Sequence, residues 1–180
     1  MNTEKHHKAV SVPSSVRFVR PCIPTIAKSI PRGDAWLHEP KFDGYRMQVV
    51  KGGRQVRLYS RNGLEWTHRL PSFAEAFLGL PCRSAVLDGE LTLPDRTGAP
   101  SFYRLHSSVR LEPRELVFFA FDLLYRDGAD LCPLPLSERR RRLERLFGRA
   151  EVPCLHLVEA FDDGPALFSA AERHGLEGIV

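Results

Sequence analysis

The sequence predicts an α+β fold in which mainly antiparallel sheets are flanked by helices. Short β-rich runs are joined by turn residues that are typical of hairpins. Three other segments carry helical spacing of apolar residues. Hydrophobic residues make up 43% of the 180 positions, which is an ordinary composition for a globular protein with a buried core. Because strands and helices are interspersed with hairpins, we expect antiparallel pairing to dominate.

The first elements are a tail and a hairpin. Residues 1–20 are polar and have no periodicity, so we expect a flexible N-terminal tail. Residues 45–50 and 55–59 are β-rich runs. The Lys-Gly-Gly-Arg sequence at residues 51–54 predicts the turn between them.

The middle of the chain predicts a helix and two further strands. Residues 70–80 have one apolar face after a Pro-Ser opening, which predicts a helix. Residues 84–93 predict a strand, and the Pro-Asp-Arg-Thr-Gly sequence at 94–98 predicts the turn after it. Residues 116–125 form the most apolar run and predict a central strand that is buried on both faces.

The last third predicts two helices and the start of a strand. Residues 137–147 carry an apolar stripe, and Ser137 is the expected N-cap. Residues 165–173 predict a second helix with Asp163 as its N-cap. The final residues, 178–180, have the apolar character of a strand.

Composition and charge exclude some classes of function. The longest wholly apolar stretch, residues 117–121, stops at an aspartate and is too short for a membrane span. The N-terminus has no apolar segment after a basic start, so we expect a cytoplasmic protein without a secretory signal. The formal net charge of +4 suits an anionic partner such as nucleic acid, although charge alone is weak evidence.

The segment from residue 39 to residue 46, Glu-Pro-Lys-Phe-Asp-Gly-Tyr-Arg, carries the clearest chemistry. Lys41 is a nucleophile if burial or a nearby cation lowers its pKa. Gly44 allows a tight turn or a close approach to the backbone. Arg46 offers a planar fork of donors for hydroxyl groups or phosphate.

This segment resembles the K-x-D-G-x-R signature of the covalent nucleotidyltransferases, namely ATP-dependent DNA ligases, RNA ligases and mRNA capping enzymes. Four later segments resemble further motifs of that family in the family's order. They are Ser-Arg-Asn-Gly at 60–63, Leu-Asp-Gly-Glu-Leu at 87–91, the Ala-Phe-Asp-Leu-Leu-Tyr strand within 118–125, and Glu-Gly-Ile-Val at 177–180. The residues of the third of these motifs and the Leu-Ser-Glu-Arg-Arg sequence of a predicted helix most resemble the ligase domain of bacterial non-homologous end-joining DNA ligases.

The resemblance implies an ATP-grasp-like nucleotidyltransferase fold for residues 21–180. In the family, the last of these motifs is followed by a strand with two lysines and then by an OB-fold domain. We therefore expect an incomplete adenylation domain without its OB-fold. A partner chain that supplies the OB-fold is one expectation, and nicked double-stranded DNA is the other expected partner.

The resemblance also implies roles for single residues. Lys41 would attack the α-phosphate of ATP and form lysyl-AMP. The nucleotide-binding residues would be Glu39 and Phe121 at the adenine, Arg46 and Glu90 at the ribose, and Arg61 at the phosphate. Phe119 rivals Phe121 for stacking on adenine, because residues two apart in a strand share a face.

A divalent metal, Mg²⁺ or Mn²⁺, is the second cofactor that the resemblance implies. Asp43, Glu90 and Glu177 would bind or orient it. Carboxylates supply the hard oxygen ligands that such ions prefer.

Three functional interpretations follow from the sequence. The first is the nucleotidyltransferase core of an ATP-dependent DNA ligase. The second is an inactive or partner-dependent fragment that binds nucleotide or DNA without catalysis. The third, an RNA ligase or capping enzyme, fits the strand motif less well. The arginine run at residues 139–142 suggests either DNA binding or a solvated helix face, and the acidic residues among it favour the solvated face.

Overall fold

The computed structural model describes residues 16–94 and 115–180. Two sheets organise this part of the chain. The strands are β1 Pro40–Lys41, β2 Tyr45–Gly52, β3 Gln55–Ser60, β4 Ser84–Thr92, β5 Val117–Arg126, β6 Ala129–Asp130, β7 Leu155–Leu157 and β8 Gly178–Ile179. The α-helices are α1 Pro71–Ala76, α2 Leu136–Phe147 and α3 Gly164–Arg173, with 3₁₀ turns at Thr67–Arg69 and Phe77–Gly79.

The larger sheet has six strands and is antiparallel apart from one pair. Its main order is β3-β2-β4-β5-β6, and β7 pairs with β5 in parallel. The smaller sheet pairs β1 with β8, which places Lys41 opposite Gly178. Mainly antiparallel pairing with helices alongside confirms the predicted fold class. Within the described residues, every helix is too short or too polar for a membrane crossing.

The predicted hairpin is present, and its turn is tighter than expected. Gly52 pairs with Gln55, so only two residues connect β2 and β3. Lys51 belongs to the strand, and its ammonium group is buried where it donates to the carbonyl oxygens of Leu78 and Leu80 at 2.8 and 2.6 Å. The lysine predicted to lie in a turn therefore ties the sheet to the 3₁₀ turn beside it.

The helices differ from the prediction at their ends. The segment predicted as one helix over 70–80 divides into α1 and the following 3₁₀ turn. The expected cap at Ser137 is wrong: α2 begins one residue earlier with Pro135 at the N-cap position, so Ser137 lies inside the first turn. The cap at Asp163 is confirmed, since its side chain accepts a hydrogen bond from the backbone N–H of Ala166.

The two faces of the larger sheet have different surroundings. The core face, carried by alternating residues such as Met47, Leu87 and Phe118, packs against the apolar sides of α1 and α2. Alternation along β2 and β4 places Arg46, Gln48, Asp88 and Glu90 on the opposite side, which we call the site face. Polar residues at these central positions are what distinguishes the site face.

β5 is central to the sheet but is not buried on both faces along its length. Phe118 and Ala120 are buried, whereas Phe119 and Phe121, on the opposite side of the strand, are partly exposed. The prediction of a doubly buried strand is therefore wrong at this end. The reason is that the site face is open to a cavity here.

The predicted tail is shorter than expected. Val16 is buried in a small apolar cluster with Val50, Val86 and Leu124, and the backbone of Val19 bonds with the side chain of Gln48. Residues 16–20 are thus packed against the sheet. The rest of the predicted tail, and all but the first residue of the turn predicted at 94–98, lie outside the described residues.

Candidate active site

A cavity of about 890 Å³ lies over the site face and reaches the smaller sheet. Several elements contribute to its walls: β1, β2, β4, β5, the turn after β3, and the lead-in segment around residue 23. The cavity brings together all the residues that the sequence predicts for nucleotide and metal binding. These are Glu39, Lys41, Asp43, Arg46, Arg61, Glu90, Phe121 and Glu177.

Lys41 lies at the end of β1, at the wall where the two small strands meet. Its ammonium group forms an ion pair with the carboxylate of Glu177, just before β8. About a third of the Lys41 side chain and half of the Glu177 side chain are exposed. The candidate nucleophile is therefore accessible, and in this arrangement its charge is partnered.

Gly44 follows Lys41 on the way into β2, where the backbone of β4 approaches closely. A Cβ atom at this position would collide with the carbonyl oxygen of Leu91. The glycine of the signature is needed here for strand-to-strand packing. It allows the turn that leads from the lysine to the arginine of the same motif.

Arg46 is held mainly by a residue that the sequence analysis did not single out. Its Nε and Nη2 atoms donate to the two carboxylate oxygens of Asp88 at 3.2 and 3.1 Å, and Nη1 donates to the carbonyl oxygen of Cys22 at 2.6 Å. The guanidinium also lies over the ring of Phe121, 5.3 Å from its centroid. Arg46 thus links the lead-in segment to the floor of the cavity.

Glu90 lies opposite Arg46 in the β2–β4 register. Burial raises the pKa of its carboxyl group to about 8, and the charges of Asp88 and Asp43 act in the same direction. Arg46 and Lys41 oppose the rise. Added positive charge in the cavity would favour the ionised form of this carboxyl group, because Arg46 and Lys41 compensate its burial only in part.

Glu39 lies two residues before Lys41 and is paired with Arg140 from α2. Burial raises the pKa of Glu39 to about 7, while the charge of Arg140 lowers it and that of Asp122 raises it. The second amino group of Arg140 donates to the carbonyl oxygen of Val158 at 2.7 Å. Val158 is itself a wall residue of the cavity.

The arginine run of α2 divides into two pairs, which corrects the expected solvated face. Arg139 makes a two-pronged contact with Asp122 at 2.8 and 2.9 Å, and Arg140 reaches Glu39. Arg141 and Arg142 pair with Glu138 on the exposed side of the helix. The amphipathic pattern predicted the exposed pair, Arg141 and Arg142, correctly. Arg139 and Arg140 instead pair with carboxylates at the cavity.

The two phenylalanines that rival each other for adenine stacking have different neighbours. Phe121 lines the cavity, and Phe119 is outside its walls. Phe119 is stacked on Phe42, with ring centroids 4.2 Å apart and an angle of 18° between the ring planes. Because Phe121 lines the cavity and Phe119 does not, the geometry favours Phe121 as a platform for a planar ligand.

Arg61 stands on the rim of the cavity in the turn after β3. The turn is closed by hydrogen bonds from the backbone N–H of Gly63 to the carbonyl oxygen of Ser60, and from that of Ser60 to Leu64. Gly63 has a φ of +78°, a conformation that glycine adopts without strain. Arg61 itself is exposed and free to point toward a ligand at the mouth.

Three carboxylates expected to bind a metal line the same cavity, namely those of Asp43, Glu90 and Glu177. They supply hard oxygen donors, and the raised pKa of Glu90 shows that its ionised form would gain from a cation. Among residues 16–94 and 115–180, however, no three acidic, histidine or cysteine side chains are already grouped closely enough to hold an ion. The three carboxylates have the donor chemistry that a divalent metal prefers, but the described residues do not form a ready-made site.

The sequence reasoning missed the residues that support the predicted ones. Four charged residues that form ion pairs within or beside the cavity were not predicted as site residues, namely Asp88, Asp122, Arg139 and Arg140. Asp88 could have been found because it belongs to the same Asp-Gly-Glu motif as Glu90. No local signal distinguishes Arg140 from Arg141, so the pairing with Glu39 required the structure.

Comparison with known proteins agrees with this geometry. The family described as ATP dependent DNA ligase domain matches residues 19–180. The multifunctional non-homologous end joining protein LigD of Pseudomonas aeruginosa is 38% identical over 165 residues, which is 91% of this chain and 20% of that protein. A probable DNA ligase of Rhodococcus jostii is 37% identical over 176 residues, 91% of this chain and 34% of the relative.

Solved structures give the same result. The ligase domain of Mycobacterium tuberculosis LigD aligns with a TM-score of 0.67 and 35% identity over 80% of this chain and 47% of that one. A mycobacterial DNA ligase D complexed with ATP and MES aligns with a TM-score of 0.68 and 33% identity, over 83% and 50% of the two chains. This chain thus spans at most about half of these structures and a fifth to a third of the curated relatives.

Proposed function

Because the chain belongs to the family of ATP-dependent DNA ligase domains, we propose that it performs the adenylation step of DNA ligation, with Lys41 as the nucleophile. One observation carries the proposal. The lysine of the K-x-D-G-x-R signature opens into the same cavity as the residues expected to hold adenine, ribose and phosphate. A mycobacterial relative of known structure is complexed with ATP, which supports ATP as the nucleotide.

The proposed step forms a phosphoramidate bond. The lone pair of Lys41 Nζ attacks the α-phosphorus, the bond from that phosphorus to the bridging oxygen breaks, and pyrophosphate leaves. In this arrangement the ammonium group of Lys41 forms an ion pair with the carboxylate of Glu177. Because only the neutral amine has a lone pair, the contact must open and the ammonium must release a proton to solvent before attack.

The other cavity residues bind and orient the nucleotide. Phe121 would stack on adenine from the cavity wall, and Glu39, which lines the same cavity, would accept a hydrogen bond from the base. Arg46 and Glu90 flank the ribose position, while Arg61 can approach phosphate from the rim. Such positioning converts the attack of an amine on a phosphate into an oriented, effectively unimolecular step.

A divalent metal ion, Mg²⁺ or Mn²⁺, is the second proposed cofactor. When bound, it would supply positive charge that offsets the charge developing on the leaving pyrophosphate. Asp43, Glu90 and Glu177 are the residues of this chain that would hold it. Of these carboxylates, that of Glu177 also pairs with Lys41, so it would orient the nucleophile as well.

The proposed acceptor of the AMP group is a DNA 5′-phosphate at a nick, and the proposed location is the cytoplasm. An oxygen of the 5′-phosphate would attack the phosphorus of lysyl-AMP, and the bond to Lys41 Nζ would break. Sealing would also draw on parts of the longer ligases that residues 1–180 do not span. Those parts, including an OB-fold, could lie in the same polypeptide or in a partner.

Intact mass of the purified chain after incubation with ATP and Mg²⁺ or Mn²⁺ tests the proposal. We expect a gain of one AMP that is reversed by added pyrophosphate and absent in Lys41→Ala. Lys28→Ala is the matched control, since Lys28 is exposed and outside the cavity, and it should still gain AMP. A folded chain that gains no AMP, or one that gains it in Lys41→Ala, would contradict the proposal.

A further inference from the structure

The proposed function does not account for one buried arginine, Arg140, which contacts two residues in the walls of the cavity. The Arg140 side chain is only 5% exposed, yet it belongs to a helix whose neighbouring arginines reach solvent. One of its amino groups pairs with Glu39, and the other donates to the carbonyl oxygen of Val158. The guanidinium therefore bridges two walls of the cavity without lining it.

The charges around Glu39 explain why this contact matters. Asp122 lies near enough to act on Glu39 and would favour its protonated form. Asp122 has its own partner in Arg139. Each of the two neighbouring arginines thus compensates one of the two carboxylates. Removal of Arg140 would leave Glu39 half-buried beside another acid with no cation of its own.

The ionised form of Glu39 has a consequence for the choice of nucleobase. A carboxylate only accepts hydrogen bonds, and adenine presents an amino donor at the position where guanine carries a carbonyl acceptor. A neutral carboxyl group can donate as well, so it would no longer disfavour guanine. A site discriminates in this way because the wrong base leaves a buried polar group without a hydrogen-bond partner.

We propose that Arg140 is a positioning residue for nucleobase selection, which orients the Glu39 carboxylate to accept from the adenine amino group and opposes its protonation. This inference rests on the proposed function for the location of the base. It adds a residue 101 positions away in sequence that touches no part of the nucleotide. An arginine suits the task because its planar fork satisfies Glu39 and Val158 together, which a lysine cannot do with the same geometry.

Binding of ATP and of GTP, measured by calorimetry in the Lys41→Ala background, tests the inference without covalent chemistry. We expect the unaltered pocket to prefer ATP by about tenfold or more. Arg140→Met should reduce this preference to within about threefold of parity, chiefly by loss of ATP affinity. Arg141→Met, an exposed arginine on the same helix, is the matched control and should keep the full preference.

A double-variant cycle separates selection from mere structural support. Glu39→Gln alone should lose the preference, because an amide offers both donor and acceptor. Adding Arg140→Met to Glu39→Gln should then change the ATP-to-GTP ratio no further. A ratio that still changes in the Glu39→Gln background, or an Arg140→Met variant that weakens both nucleotides equally, would overturn the inference.

Two further results keep this inference distinct from the proposed function. If circular dichroism shows that Arg140→Met is unfolded, Arg140→Lys is measured instead. This variant keeps the positive charge but loses the planar fork. An unchanged preference for ATP over GTP in Arg140→Lys would overturn the role of the fork. ATP preference without AMP transfer in the chain that retains Lys41 would remove the proposed chemistry and leave the inference intact. Absence of any preference for ATP would overturn the inference even if AMP transfer occurs.

Discussion

Asp88 shows how a single buried acid organises the signature arginine. The residue is 2% exposed and accepts from both Arg46 and Gln48. Burial raises the pKa of Asp88, and the hydrogen bonds from these two residues oppose the rise. The two-pronged contact aligns Arg46 along the cavity floor, where its guanidinium also faces Phe121. The orientation of the signature arginine thus depends on an acid from the neighbouring strand.

Replacing Asp88 with asparagine should destabilise the fold. The amide keeps the size of the side chain but loses the charge and one acceptor facing Arg46, leaving a part-buried guanidinium without a full partner. We expect a loss of about 2–3 kcal/mol in the free energy of unfolding, measured by urea titration. Glu138→Gln removes the partner of exposed arginines and should leave the urea midpoint unchanged. Equal stability of Asp88→Asn and the parent would contradict this account.

The kinds of residues at the site were predictable, whereas their partners were not. Lys41, Arg46 and Glu90 were predictable because each stands in a short motif that can be recognised in the sequence itself. Arg140 and Glu39 lie 101 positions apart, and nothing in the local pattern joins them. Long-range ion pairs depend on how helices pack on the sheet, and that information is spread over the entire core.

At the scale of elements, α2 illustrates a limit of amphipathic patterns. Adjacent helical positions are about 100° apart, so two consecutive residues can both turn toward the protein when the helix lies at the margin of a sheet. Arg139 and Arg140 do so because Asp122 and Glu39 offer them partners. A pattern that classifies residues only as apolar or polar assigns such arginines to solvent. The ends of β3, β4 and β5 were predicted to within one residue, since alternation and turn residues are local signals.

Helix α3 is followed in sequence by β8, the strand that pairs with β1. The stability of its first turn therefore contributes to the stability of the fold. Asp163 accepts a hydrogen bond from the backbone N–H of Ala166 at 2.9 Å. Asp163→Ala should lower the free energy of unfolding by about 1 kcal/mol, measured by urea titration, because the first turn loses its cap. Asp162→Ala is the matched control one residue earlier, where the side chain is exposed and is not the N-cap, and should have no effect. Similar losses in both variants would argue against capping.

At the scale of the molecule, burial of acids along the site face couples stability to protonation. Glu39 and Glu90 both have pKa values above their ordinary range, chiefly because folding removes them from water. A divalent cation bound in this cavity would compensate the ionised form of such groups. Without ligand, the same groups oppose folding whenever they are ionised.

The free energy of unfolding should therefore fall as the pH rises. Each raised carboxyl binds a proton in the folded state over a range in which the unfolded chain has lost it, so unfolding releases protons and high pH favours it. The range runs from about 4.5 to about 7 for Glu39 and to about 8 for Glu90. We expect a decrease of about 1 kcal/mol or more between pH 5.5 and 8, by urea titration in metal-free buffer.

Glu39→Gln should flatten the pH profile of the free energy of unfolding below pH 7, and Glu90→Gln should flatten it up to pH 8. The exposed control Glu75→Gln should leave the profile unchanged. A profile that rises over this interval in the parent would show that other groups, and not these two, dominate the proton balance.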